Sequence, residues 1–162
     1  KILTRGAFDE LKGALENEIF EAKTQPWDLS SERGRFDFAK DVSSLANANG
    51  GIILLGASTS PSPTYQRREI VEIPRLSQSH TPNEQYWHIV GEWIYPTPSG
   101  INIQWHPDPG NSTLGLISIQ VPKYDDELRP FFLTCYLPEE GDRIKQVFPG
   151  RSPHPTPTGG PV

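Results

Sequence analysis

Glu21 and Lys23 stand two residues apart in the stretch Glu16-Asn17-Glu18-Ile19-Phe20-Glu21-Ala22-Lys23. An extended backbone there places the carboxylate and the ammonium on one face of a strand, with Phe20 and Ala22 on the other. A half-exposed pair of this kind contributes about 0 to 1 kcal/mol, and the same lysine could instead face a phosphate. Two further groups of cations suit phosphate contacts: Arg33, Arg35 and Lys40 near the start of an amphipathic segment, and Arg67 and Arg68, with Arg75, in a stretch rich in Ser and Pro. Each phosphate they neutralise would release counterions and steepen the salt dependence of binding. Glu32, Asp37, Asp41, Glu69 and Glu72 dilute both groups, as on an ordinary solvated surface.

Other chemistries find little here. His80, His88, His106 and His154 show no metal-ligand spacing. The single cysteine, Cys135, has no partner for an internal disulfide, and no nucleophile elbow or activated-cysteine context appears. Asn47-Ala48-Asn49-Gly50-Gly51 could offer N–H groups to an anion, but it follows a helix whose C-terminal dipole is negative, so a structural turn is expected. With 15 basic and 20 acidic residues the net charge is −5, which argues against a general polyanion binder and leaves room only for a local patch.

No run approaches the ~18 apolar residues of a membrane span, and no signal-peptide pattern opens the chain, so a cytoplasmic protein without a membrane partner is expected. The chain begins at Lys1, which reads as a piece of a longer protein.

The elements that must position these residues follow from periodicity. Phe8, Leu11 and Leu15 predict an amphipathic helix within 4–15, and 19–23 predict a strand ended by Pro26, with a loop over 27–34. Phe36, Ala39, Val42 and Ala46, widened by Phe38 and Leu45, form the stripe of a helix docked on a sheet. Asn47, Asn49 and Gly50 supply left-handed conformations for its cap, and Gly51 admits a strand at close approach. Ile52-Ile53-Leu54-Leu55 is apolar throughout, as in a strand covered on both faces.

Residues 57–80 form an insertion, expected as a long excursion with one extended segment at 69–73. Thr81-Pro82-Asn83-Glu84 has the form of a capping box with Thr81 at the N-cap. The helix it opens should turn Tyr86, Ile89, Val90 and Trp93 inward, with Trp87 and Tyr95 also expected in the core rather than as a stacking platform. Ile101, Ile103 and Trp105 alternate and pair with 114–121 as a hairpin; 131–137 and 144–148 make a second pair. The order of elements is that of an α+β domain with a mixed sheet of about five to six strands and three helices, spanning 1–150, followed by a Pro-rich tail at 151–162.

On these residues the chain resembles the Schlafen AlbA-type domain of bacterial regulators and Schlafen proteins. That family shows Glu-x-x-x-Leu-Glu-Phe-Lys, then a helix ending in Ala-Phe-Ala-Asn-x-x-Gly-Gly, then a strand ending in Gly-Val-Asp-Asp. Glu16, Phe20, Glu21, Ala22 and Lys23 match the first, Ser44-Leu45-Ala46-Asn47-Ala48-Asn49-Gly50-Gly51 the second, and Ile52 to Gly56 the strand. Weaker echoes follow at Trp93, Pro96, Arg129-Pro130-Phe131-Phe132 and Pro149-Gly150. The chain departs from the family in three ways: Ala57-Ser58-Thr59 replaces the aspartates, Phe148 and Pro149 stand where an arginine is usual, and the insertion is long.

The resemblance implies a nucleic-acid-binding module of a bacterial transcriptional regulator, non-enzymatic and without a cofactor, that contacts backbone phosphates, of DNA more than RNA, through Lys23, Arg33, Arg35, Lys40, Arg67 and Arg68. It carries one enzymatic alternative, a metal-dependent RNA endonuclease in which Glu16 and Glu21 hold Mg²⁺ or Mn²⁺ beside Lys23; the later aspartate of that set is missing. A protein-interaction or assembly module is the second alternative, and a homo-oligomer is left open.

Overall fold

A computed structural model describes residues 1–134, together with 136–139 and 143–146 as strands. The expected tail at 151–162, Cys135 and Phe148 to Gly150 lie outside the described residues. The elements in chain order are α1 (Ile2–Arg5), β1 (Phe20–Lys23), α2 (Glu32–Asn47), β2 (Gly51–Leu55), β3 (Ser58–Pro61), β4 (Arg68–Glu72), β5 (Leu76–Ser77), α3 (Glu84–Trp93), β6 (Ile94–Tyr95), β7 (Asn102–Asp108), β8 (Asn111–Val121), β9 (Phe132–Leu133), β10 (Tyr136–Glu139) and β11 (Arg143–Gln146). The fold is α+β, with a mixed five-stranded sheet as its centre.

The long strand β8 organises that sheet. It pairs antiparallel with β2, β5 and β7, while β1 adds parallel to β2 in the register Glu21 to Ile53 and Lys23 to Leu55. The predicted hairpin is therefore β7–β8. Gly51 sits where its Cα approaches the Ile19 backbone, and at φ 153 it has both the missing side chain and the backbone freedom that this contact needs.

Alternation along β2 divides the interior in two. Ile53 and Leu55, with Ile117 and Ile119 of β8, face α2 and α3 and pack on Phe38, Ala39, Val42, Tyr86, Ile89 and Val90. Leu54 and Leu116 face the opposite way and pack on Phe8, Ala22, Ala57, Ile70 and Ile73. The all-apolar run of β2 thus has cover on each side, as its composition requires.

Several expectations are corrected. The helix over 4–15 is broken: Gly6 ends α1 in a left-handed conformation, Phe8–Leu11 is a single 3₁₀ turn, and after the turn at Gly13 the backbone of 13–16 bonds to β4, with Gly13 N–H donating to the Ile70 carbonyl (2.8 Å) and Ile70 N–H to the Ala14 carbonyl (2.9 Å). The loop over 27–34 is shorter, because Ser31 caps α2 by accepting the Gly34 N–H at 2.9 Å. The insertion is no open excursion: β3 and β4 form a hairpin, β5 joins the main sheet, and its buried residues complete the second core.

The cap of α3 is Asn83, whose side chain accepts the Gln85 N–H at 3.0 Å; the Thr81 hydroxyl instead donates to the Gln78 carbonyl at 2.6 Å. The left-handed residue after α2 is Gly50, not either asparagine. Asn47 is used to bridge to the distant chain, donating to the Phe131 carbonyl (2.8 Å) and accepting the Phe131 N–H (2.7 Å). The pair expected from 131–137 also divides, β9 joining β6 and β10 joining β11. Among the described residues no helix is long and apolar enough to cross a membrane.

Candidate nucleic-acid interface

The β3–β4 hairpin stands on the second core and ends in a turn that is internally tied. Ser62 N–H donates to the Arg67 carbonyl at 2.8 Å, and the Ser62 hydroxyl accepts the N–H groups of Thr64 and Tyr65 at 3.3 Å each. Arg68 is held against the hairpin stem, donating through Nε to the Thr59 hydroxyl (3.0 Å) and through Nη2 to the Thr59 carbonyl (2.7 Å), with Glu16 at 4.0 Å. Arg67 is exposed, and its guanidinium has no carboxylate or hydrogen-bond partner among the described residues. Beside it Tyr65 is 58% exposed, an aromatic that periodicity could not single out. The signal available in the sequence was Tyr65-Gln66-Arg67-Arg68 itself, an aromatic next to two cations in a turn.

The other cations lie on the opposite side of the sheet. Lys23 reaches Glu21 at 3.0 Å and Asp41 at 3.4 Å, and its ammonium lies 5.6 Å from the centre of the Trp27 ring, whose N–H donates to Asp41 at 3.1 Å. Burial lowers the pKa of Lys23, but the two carboxylates outweigh it and leave the ammonium above its usual value. Burial, with the Glu21 charge added to it, pushes the Asp41 carboxyl up even though Lys23 and Trp27 pull the other way. Arg33 pairs with Asp37 at 3.2 Å, and Lys40 approaches the same carboxylate at 4.0 Å. Arg35 donates to the carbonyls of Leu29 (3.0 Å) and Ser30 (3.2 Å), and its guanidinium sits 5.8 Å from the Trp93 ring. Lys23, Arg33, Arg35 and Lys40 thus share the α2 side, where local partners engage each one; Arg67 and Arg68 stand apart from them.

Glu16 and Glu21 do not make a donor set for a hard cation. Glu16 Oε1 accepts the Ala22 N–H at 3.0 Å while Oε2 faces Arg68, and Glu21 is paired with Lys23 on the other face of β1. Among the described residues no group of three or more His, Cys, Asp or Glu side chains could hold a metal ion. Mg²⁺ and Mn²⁺ need converging oxygen ligands, and these two carboxylates are directed elsewhere.

No family model and no curated protein matches the chain. Among solved structures it is similar to the N-terminal domain of the "Putative ATP-dependent DNA Helicase RecG-related Protein" of Nitrosomonas europaea, at 16% identity over 96% of this chain and 92% of that one, with a TM-score of 0.47. A likeness at that level says nothing of function.

Proposed function

We propose that the chain is a nucleic-acid-binding module of the Schlafen AlbA type, which holds its ligand by the backbone phosphates at the tip of the β3–β4 hairpin. The observation that carries this reading is the exposed Arg67, without a counter-charge among the described residues, beside Arg68 on a turn that Ser62 holds in shape. A guanidinium so placed meets a phosphate without first giving up an ion pair. Tyr65 adds a face on which a base can stack. Of the six cations that the sequence suggests, Lys23, Arg33, Arg35, Lys40 and Arg68 already hold local partners, so the reading rests first on Arg67, with Arg68 beside it on the same hairpin. Contact through phosphates sets affinity and register, not sequence preference. DNA in preference to RNA, inside a bacterial transcriptional regulator, is the setting this reading favours.

The test is a fluorescence titration of the chain against single-stranded DNA, duplex DNA and structured RNA at two salt concentrations. Arg67→Ala should weaken binding to all sequences alike and lower the salt slope by about one. Affinity that is absent, or indifferent to salt, removes the reading.

A further inference from the structure

The outer face of α3 presents an unusual series. Trp87 and His88 follow Glu84 by three and four residues and Gly91 follows them by four and three, with Glu92 beside them, so they form one stripe along the helix, and all are exposed. The opposite face, with Tyr86, Ile89 and Val90, supplies the helix's buried contacts. Together the five residues line a shallow groove.

Two of them have no explanation in the packing. Trp87, a large apolar side chain, leaves 46% of its surface in water. Gly91 lies in the helix interior, where glycine costs roughly 1 kcal/mol relative to alanine. Yet a Cβ at this position would meet nothing within 4 Å, so no neighbouring group demands its absence. What glycine does there is leave a slot beside the indole. The rim is acidic: Glu84 has no partner among the described residues, and Glu92 has only His88 at 3.7 Å, an attraction that exists only when the imidazole is protonated.

We infer that this groove binds a basic peptide segment of a protein partner, with a lysine or arginine stem lying over Gly91, its cation on the Trp87 face beside Glu92, and a second cation of the same segment at Glu84. A long cationic side chain has an apolar stem for the slot and a charge that an indole face attracts at about 0.5 to 2 kcal/mol. Charge complementarity selects this occupant over an anionic or neutral one. The surface lies on the helical side of the sheet and the Arg67 hairpin on the other, so the inference stands independently of nucleic-acid binding.

The probe is a fluorescein-labelled octa-arginine peptide titrated into the full chain, with octa-glutamate as control. Gly91→Leu should fill the slot and weaken octa-arginine binding about tenfold while leaving the net charge and the fold, read by circular dichroism, unchanged. Trp87→Ala and Glu84→Gln should each weaken it as well, and Arg67→Ala should not. Diffuse attraction between an acidic protein and a basic peptide would survive Gly91→Leu, and that result overturns the inference. Octa-glutamate bound as tightly as octa-arginine overturns it too. So does a concentration-dependent dimer, seen by sedimentation, that Gly91→Leu abolishes, since the occupant would then be a second copy of the chain.

Discussion

Glu16 covers the outer edge of β1: its Oε1 accepts the N–H of Ala22 at 3.0 Å, while the neighbouring outward N–H, that of Phe20, donates to the Asn17 carbonyl at 3.3 Å. The strand at the rim of the sheet therefore shows no free donor between Phe20 and Ala22. An uncovered edge is a template for pairing with another chain. Glu16 is positioned as a local cap, which is also why it does not join Glu21 at a common ion.

Glu16→Ala should accordingly cost about 1.5 kcal/mol of stability, the usual worth of a hydrogen bond to a charged group. It should also promote association through the freed edge. Urea denaturation and size-exclusion chromatography over a range of concentrations would read the two effects. Glu16→Gln keeps an acceptor and should lose less; equal losses for both variants would mean that the charge rather than the bond matters.

Asn47 joins the end of α2 to Phe131 by two reciprocal backbone bonds, and Arg129 adds donations to the carbonyls of Asn47 (3.1 Å) and Ala48 (2.8 Å). Asn47→Ala leaves a donor and an acceptor of the Phe131 backbone without partners, at a cost of about 2 to 3 kcal/mol. Asn47→Asp keeps one bond and should fall between. Hydrogen exchange at the Phe131 amide should quicken in Asn47→Ala and much less in Asn47→Asp, whose carboxylate still accepts that N–H.

His106 is 8% exposed and shares a 2.7 Å hydrogen bond with the buried Ser118 hydroxyl. Burial first, and the positive amino terminus second, push its imidazole below the usual value. The unfolded chain then binds a proton that the folded chain refuses, so stability is complete above about pH 6.5 and falls as the pH drops toward the folded value. Urea midpoints taken from neutral pH downward should show this slope, and His106→Gln should flatten it.

The same substitution should act with opposite sign in the two longer helices. At Gly34 an added methyl would overlap the Asp28 carbonyl and press on the Ser31 hydroxyl that caps α2, so Gly34→Ala should destabilise. At Gly91 the space is open, and Gly91→Ala should raise stability by up to about 1 kcal/mol through helix propensity alone. Thermal denaturation of both variants checks the pair.

The parts legible in the sequence were those with a strong period. The stripe of Phe36, Ala39, Val42 and Ala46, the all-apolar run into β2 and the β7–β8 alternation led to the observed elements, and with them the mixed sheet. What failed was local competition. Phe8, Leu11 and Leu15 have helical spacing, but Gly6 and Gly13 both adopt positive φ and the backbone of 13–16 is taken by β4. Asn83 displaced Thr81 as a cap because the two offer similar acceptors only two residues apart. Cations are visible in a sequence, but their partners are not: Lys23 meets Asp41 only because β1 and α2 pack together. Tyr65 escaped notice, and Trp87 and Tyr95, expected in the core, are 46% and 67% exposed, because exposure depends on which face a neighbouring layer covers.

The sheet carries an apolar layer on each side, and this sets the reach of the molecule. A strand of nucleic acid lying on the hairpin and a cationic tail lying on α3 would be separated by the full thickness of the domain, with no surface in common. Neither guest could displace the other. If both proposed surfaces are occupied, such a body would act as a bracket that keeps two different macromolecules apart by the thickness of the domain.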